Sequence, residues 1–314
     1  MISILIPVYN TQSYLKDCLD SVLTQTYRNL QIVLYDDGST DNSDDICKQY
    51  ARQDGRITYI TARHRGIAEA RRQLIAMAEG AYSLFVDSDD WIRSGTVEIL
   101  VDKLTAEQAD IVIYRREDQT EIVSERLFDR SQAIRDFLDH GLINASLVTK
   151  IVRTSLYRKI EFDPIINYGE DVLATWRLLN TATTILTLPD QLYHYRNNPA
   201  SITNSDFNSD MYAAAAVWDK ISEECRTLHP QYTHLAQLQQ ANSYVWVLYT
   251  ALRSNTKHND RLKTIQSKLR RCTSLISKLS VSFKGKAFAY SVSLSYTLTR
   301  VALRPFATHI NPLR

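Results

Sequence analysis

Three carboxylates fall within four residues at Asp87-Ser88-Asp89-Asp90, directly after an apolar, strand-like run from Tyr82 to Val86. Carboxylates packed this closely repel one another, and a cation between them relieves the repulsion. Hard oxygen ligands suit Mg²⁺ or Mn²⁺, ions that commonly share one or two carboxylates with a bound phosphate. A second acidic pair opens the run Asp36-Asp37-Gly38-Ser39-Thr40-Asp41, and an aromatic ring stands in Pro7-Val8-Tyr9-Asn10. Together these features suit a pyrimidine nucleotide. Tyr9 would stack on the base, a carboxylate would accept the imide N–H of uracil, and the metal would hold the diphosphate. Each feature alone has a plainer reading: Tyr9 as strand-end packing, and the Asp, Gly, Ser and Thr residues as turns and helix N-caps. A phosphoacceptor receiver domain also gathers acids at strand ends, but it is much shorter and needs a lysine on a late strand.

The elements that position these groups alternate. Ile2 to Val8 is a near-continuous apolar run, as expected for a strand buried on both faces. A helix carrying Leu15, Leu19, Val22 and Leu23 follows, then a strand over Gln31 to Tyr35 and a helix from Ser43 to Ala51. A strand over Ile57 to Ile60 leads to a helix holding Ile67, Leu74 and Ile75, and then to Tyr82 to Val86. Such repeats predict an α/β fold with a Rossmann-like, doubly wound, mostly parallel sheet. In that architecture ligands bind at the carboxyl ends of the strands, where the three unusual runs lie. Further on, the spacing predicts helices over Gly95 to Leu104 and Ser131 to His140, and a strand over Asp110 to Tyr114. Another helix is expected from Asp171 to Leu179, with Val172, Trp176 and Leu179 on one face.

At 314 residues the chain can bury a large core. Its net charge of +2 conceals an asymmetry: from Arg226 onward there are 14 Lys and Arg against one acid, Asp260. The front is correspondingly acidic, which suggests a metal and its ligand at one end and an anionic surface at the other. Cys18, Cys47, Cys225 and Cys272 form no CxxC or Cys/His pattern and read as buried thiols of a reducing compartment. No signal peptide is expected, since the chain starts directly on a strand-like run. No stretch approaches the roughly 20 apolar residues of a membrane span. The expected location is cytoplasmic, with a peripheral place on the cytoplasmic face of the membrane left open.

The motifs ISILIPVYN, LDSVLTQTY, VLYDDGSTDNS, GIAEARRQLI, AEGAYSLFVDSDDW, YGEDVLATWRL and LYHYRNNPASIT occur in this order. In letters, order and spacing the chain resembles a family 2 glycosyltransferase of the GT-A fold, of the bacterial kind that builds cell-surface polysaccharides. The resemblance covers roughly residues 1–203. It implies that Pro7 and Tyr9 bracket the uracil and that Asp37 reads its N3–H. Asp87 matches the first acid of the DxD motif, near the ribose and the metal, and Asp89 matches the acid that coordinates Mn²⁺ or Mg²⁺ directly. Arg71 matches an arginine near the nucleotide-sugar, although the family's Arg-Asn pair is Arg71-Arg72 here. Asp171 matches the catalytic base, and His194 and Arg196 lie in a segment that folds over the diphosphate. Lys150 resembles a lysine often found before the acceptor-side helix; a surface lysine is the plainer reading.

The implied function is metal-dependent, inverting transfer of a hexose or N-acetylhexosamine from a UDP-sugar to a hydroxyl of a glycan acceptor. That acceptor would be polyprenyl-diphosphate-linked, as in capsule or exopolysaccharide biosynthesis. A transferase extending glycans on a protein adhesin would use the same catalytic half. A non-catalytic homologue acting as a binding partner is the reading of a different class, and the intact Asp37, Asp87, Asp89 and Asp171 weigh against it. The expected domains are a catalytic 1–205 and a basic, mainly helical 206–314. Helices are expected over Met211 to Cys225, Leu235 to Leu252, Asp260 to Leu279 and Phe283 to Leu303. The last of these mixes aromatics with basic residues. It would lie on an anionic inner leaflet with Phe283, Phe288, Tyr290, Leu294 and Phe306 partly inserted. A helical bundle packed against the rest of the chain or another subunit, including a homo-oligomer, is the alternative. No motif for reading nucleic acid is present.

Overall fold

The computed structural model describes residues 1–120, 123–198, 206–279 and 281–303. The chain separates into two compact units, Met1–Asn198 and Pro199–Arg314. The first unit begins with strands β1 (Ile2–Val8), β2 (Leu30–Asp36), β3 (Ile57–Thr61) and β4 (Tyr82–Phe85), joined by helices α1 (Leu15–Leu23), α2 (Ser43–Gln53) and α3 (Ile67–Met77). It continues through β5 (Trp91–Ile92), α4 (Thr96–Glu107), β6 (Ile111–Arg116), β7 (Arg126–Asp129) and α5 (Arg130–Leu138). β8 (Lys150–Arg153), α6 (Thr154–Tyr157), α7 (Glu170–Thr181) and β9 (Thr184–His194) complete it.

The sheet order is β3-β2-β1-β4-β8-β6-β9-β5, with β7 added on β9. β1, β2, β3 and β4 pair in parallel, as do β6 and β9. β8 runs antiparallel to β4 and β6, and β5 and β7 antiparallel to β9. Every residue of β1 and β2 is buried, which is why these strands read as unbroken apolar runs rather than alternations. The chain leaves β1 for β2 and β3 on one side and returns to β4 on the other. β1 is therefore the switch point, and the carboxyl ends of β1, β2 and β4 lie side by side. The in-register pairing of Val8 with Asp36 sets Tyr9 and Asp37 at the same level.

The four parallel strands and their helices agree with the sequence reading. β5, β7, β8 and β9 do not appear in it. β9 contains Pro189 and three polar residues in its second half, a pattern that demotes a strand when read alone.

The second unit consists of α8 (Tyr212–Leu228), α9 (Thr233–Arg253), α10 (Asp260–Arg271), α11 (Thr273–Ile276), α12 (Phe283–Leu294) and α13 (Tyr296–Leu303). Tyr244, Val245, Leu248 and Leu252 of α9 share one core with Leu262, Ile265 and Leu269 of α10 and Phe288, Ala289 and Val292 of α12. Two expected helices are broken. The one expected over Asp260 to Leu279 ends at Arg271, and the one over Phe283 to Leu303 breaks at Ser295, where φ is −152° and ψ 110°. The four cysteines are free thiols, with Cys272 only partly buried. Among the described residues no helix is long and apolar enough to cross a membrane.

One buried amide holds the acidic turn in place. Gln25, at the end of α1, is fully buried. Its Nε2 donates to the carbonyls of Ser21 (3.0 Å) and Arg93 (2.8 Å), and its Oε1 accepts from the N–H of Val97 (3.1 Å). It thus ties α1 to the chain just beyond Asp90. Gln25→Leu strands the Val97 N–H and is expected to lower stability by about 2–3 kcal/mol in urea unfolding. A loss within about 0.5 kcal/mol, typical of surface changes, would contradict this role.

Candidate active site

At the ends of β1 and β2, Pro7 is buried and Tyr9 is 43% exposed. One face of the Tyr9 ring lies against His64, with centroids 4.1 Å apart and planes 20° apart. Asp37, 3% exposed, accepts the backbone N–H groups of Arg65 (2.9 Å) and Gly66 (2.8 Å). His64 Nδ1 lies 2.9 Å from the same carboxylate. A carboxylate has about four acceptor positions, so this arrangement leaves Asp37 capacity for a further donor. Gly66 explains why the loop can close so tightly. Its φ of +93° suits glycine, and a Cβ there would come within 2.2 Å of Asn167 Oδ1. Asp36 has a different task. It is buried and accepts from the N–H and hydroxyl of Ser39, so it shapes the turn. His64 is absent from the sequence reading because it lies between β3 and α3, outside the acidic runs.

The turn after β4 divides its three carboxylates. Asp90 is 1% exposed and accepts the Tyr193 hydroxyl (2.6 Å) and the Arg196 N–H (2.8 Å). Burial, reinforced by Asp87, pushes its carboxyl up to about 7. Asp90 is thus an internal brace, while Asp87 and Asp89 remain partly exposed. Asp89 Oδ2 accepts from Asn198 Nδ2 (3.0 Å).

Arg196 Nε donates to the Asp89 carbonyl (2.9 Å), and its Nη2 lies 2.7 Å from Asp17 Oδ2. Its guanidinium sits 4.6 Å from the Trp91 ring centre and 4.9 Å from that of Tyr14. His194 stacks on Trp91 at 3.5 Å, with Nδ1 2.6 Å from Glu117 Oε2. Both side chains therefore brace the turn, and contact with a diphosphate would require them to leave these partners.

Arg71 joins the two halves of the site. It lies on α3, 5% exposed, with Nη1 ion-paired to Glu170 and Nη2 3.5 Å from Asp87 Oδ1. Its Nε has no hydrogen-bond partner among the described residues. Burial works against the guanidinium charge, but Glu170, Asp87 and Asp171 outweigh it and raise its pKa. Burial likewise pushes Glu170 up, while Arg71 pulls it back down. Glu170 is the first residue of α7 and Asp171 the second, after Gly169 with φ +81°. The two adjacent acids differ in setting: Glu170 is held by Arg71, and Asp171 is partly exposed and accepts the Val172 N–H (2.8 Å). Arg72, in the position of the family's asparagine, turns outward onto Glu69 (2.7 Å).

Of the two readings of Lys150, the surface lysine does not hold. It is fully buried, and its Nζ donates to the carbonyls of Asn144 (2.7 Å) and Ser146 (2.6 Å) and to Asn144 Oδ1 (3.2 Å). Burial lowers its pKa to about 7, with the Asp171 charge acting in the opposite direction. The surrounding pattern hides this, because a strand-end lysine normally faces water.

Among the described residues no three His, Cys, Asp or Glu side chains form a metal cage by themselves. Mg²⁺ and Mn²⁺ sites built from one or two carboxylates plus substrate phosphates need no such cage. The electrostatics fit such an ion. Burial raises the Asp87 carboxyl, Asp89 and Asp171 raise it further, and Arg71 offsets only part of this. A cation against Asp87 and Asp89 would supply the missing positive charge.

The ion pair makes a specific prediction. Arg71→Met leaves Glu170 buried without its partner and is expected to destabilise the protein by about 3–5 kcal/mol. Adding Glu170→Gln should recover a substantial part, giving a coupling of about 1–3 kcal/mol in a double-mutant cycle. Additive losses would contradict the pairing.

The profile of Glycosyl transferase family 2 matches residues 3–160. The chain is 32% identical to Glycosyltransferase GlyA of Streptococcus pneumoniae over 256 residues, which are 76% of this chain and 37% of GlyA. It is 30% identical to Glycosyltransferase GlyG of the same organism over 227 residues, which are 66% of this chain and 74% of GlyG. The chain thus spans little more than a third of the length of GlyA. The crystal structure of S. aureus TarS 1-349 in complex with UDP-GlcNAc superposes with a TM-score of 0.73 at 19% identity, covering 97% of this chain and 91% of that one. At that identity the likeness concerns the fold, and the GT-A architecture expected above, with a helical C-terminal region, is the one present. Spanning half the chain, the profile match shows that this protein is a member of glycosyl transferase family 2.

Proposed function

We propose that this glycosyltransferase is metal-dependent and inverting, and that it moves a hexose or N-acetylhexosamine from a UDP-sugar to a glycan hydroxyl in polysaccharide biosynthesis. The observation that carries the reading is the buried Arg71. One guanidinium links Asp87, at the end of β4, to Glu170, next to Asp171 at the start of α7. In this reading Arg71 would hold donor-side and acceptor-side carboxylates at one corner. The UDP-GlcNAc bound by the TarS fold neighbour supports a UDP-sugar as donor.

Tyr9 would offer the ring face not covered by His64 to the uracil, beside the buried Pro7. Asp37 would use its remaining acceptor capacity for the N3–H. Asp87 and Asp89 would hold Mn²⁺ or Mg²⁺, which as a Lewis acid neutralises charge on the diphosphate leaving group. Asp171 would take the proton of the acceptor hydroxyl. The acceptor oxygen then bonds to the anomeric carbon on the face opposite the departing UDP, and the bond to the β-phosphate oxygen breaks with its electron pair. Configuration inverts, and no covalent sugar–enzyme bond is needed. The base-assisted, opposite-face geometry parallels inverting glycoside hydrolysis. His194 and Arg196 would contribute from the far side of the turn by fixing where Asp89 stands. The proposed acceptor is carried on a polyprenyl diphosphate, which would place catalysis at the cytoplasmic face of a membrane. The proposed division of labour assigns catalysis to residues 1–205 and that contact to 206–314.

Purified protein with Mn²⁺ and a panel of nucleotide sugars should release UDP from one UDP-sugar. Asp89→Asn is expected to abolish metal-dependent UDP binding. Asp171→Asn should retain donor affinity while slowing turnover about 10²- to 10⁴-fold, the usual worth of a general base. Equal loss of donor affinity in both variants would show the roles to be wrongly assigned.

A further inference from the structure

α12 carries apolar residues on two faces. The inner one, Phe288, Ala289 and Val292, belongs to the core of the second unit. Phe288 also packs edge-on against Tyr249, with ring centres 5.6 Å apart. This corrects the expectation that Phe288 faces a membrane; Phe306 lies outside the described residues. The outer face holds Phe283, Ala287, Tyr290 and Leu294, spaced i, i+4, i+7 and i+11. Phe283 is 87% exposed and Leu294 71%. On α13, beyond the break at Ser295, Leu298 and Val301 are likewise 72% and 71% exposed. Single exposed apolar residues need no explanation, but five on two consecutive helices point to a contact surface.

The charge around these residues selects their partner. From Arg261 to Arg314 there is no Asp or Glu. Lys284 is exposed one residue from Phe283, Lys286 Nζ donates to the Ser277 carbonyl (2.8 Å), and Arg300 Nη2 to Asn255 Oδ1 (2.7 Å). A second copy on this face would bring like charges together, and residues 304–314 add only Arg304 and Arg314. Apolar side chains rimmed by cations suit an anionic bilayer. We propose that the exposed apolar residues of α12 and α13 dock on an anionic lipid surface, with Phe283, Tyr290, Leu294, Leu298 and Val301 at the acyl boundary and Lys284 among the headgroups. This surface deepens the lipid-linked acceptor reading and takes its purpose from it. Its chemistry stands independently.

The test is co-sedimentation of the full chain with vesicles of phosphatidylcholine alone or mixed with phosphatidylglycerol, without sugar donor or acceptor. Binding is expected to the mixed vesicles, weakly or not at all to the neutral ones, and to fall with added salt. Phe283→Ser/Leu294→Ser/Leu298→Ser should lower the partition coefficient at least about tenfold. Lys284→Ala should lower it about fivefold. The substituted side chains lie at the surface, so melting temperature and UDP release should be unchanged. No binding to mixed vesicles, or equal binding by the triple variant, would overturn the proposal. So would concentration-dependent dimerisation that the triple variant abolishes. Any of these results would leave the transferase reading intact, because the assay contains no reaction.

Discussion

A buried positive charge has to be answered by negative charge nearby, and in this protein that requirement links elements far apart in sequence. Arg71 on α3 is almost fully enclosed and takes Glu170, 99 residues away, as its close partner and Asp87 as its second. Removing one member of a buried pair leaves an uncompensated charge, which is far more costly than never having built the pair. The pair therefore fixes α7 against α3 and the end of β4. Asp171, the next residue along α7, comes with it. The arrangement also explains why two adjacent acids differ: one side chain is held by its countercharge, and the other is left partly exposed.

Around this link the negative charge is in excess. Glu170, Asp87 and Asp171 act on the Arg71 guanidinium, Asp89 adds its charge beside Asp87, and the raised pKa of the Asp87 carboxyl expresses that imbalance. The rest of the turn is braced so that the imbalance persists. Tyr193 and the Arg196 N–H hold Asp90 inside, Gln25 anchors the chain just beyond it, and the Trp91 ring is stacked by His194. Preset negative charge of this kind would lower the reorganisation needed to bind a cation.

The parallel half of the fold was legible because strands buried on both faces leave unbroken apolar runs, and because the acidic and aromatic residues at their ends stand out against them. Tyr9, Asp37, Asp87 and Asp89 could be named for that reason. The partners of these residues could not. Arg71 and Glu170 are brought together only by the three-dimensional fold. His64 lies in a loop whose composition gives no signal, and Lys150 is enclosed by the Asn144–Ser146 carbonyls, which no periodicity reveals. In the second unit the apolar residues of α12 could be counted, but not assigned to faces. Phe288 turns to the core and Phe283 to solvent, a distinction that depends on where α9 and α10 pack.

In the proposed mechanism a divalent ion would join the acidic turn to the two phosphates of a sugar donor. Its most direct test is anomalous diffraction from crystals soaked with UDP and Mn²⁺. The expected result is a manganese peak within bonding distance of an Asp89 carboxylate oxygen and of both phosphates. UDP bound in the cleft with no manganese beside Asp89 would contradict the central claim.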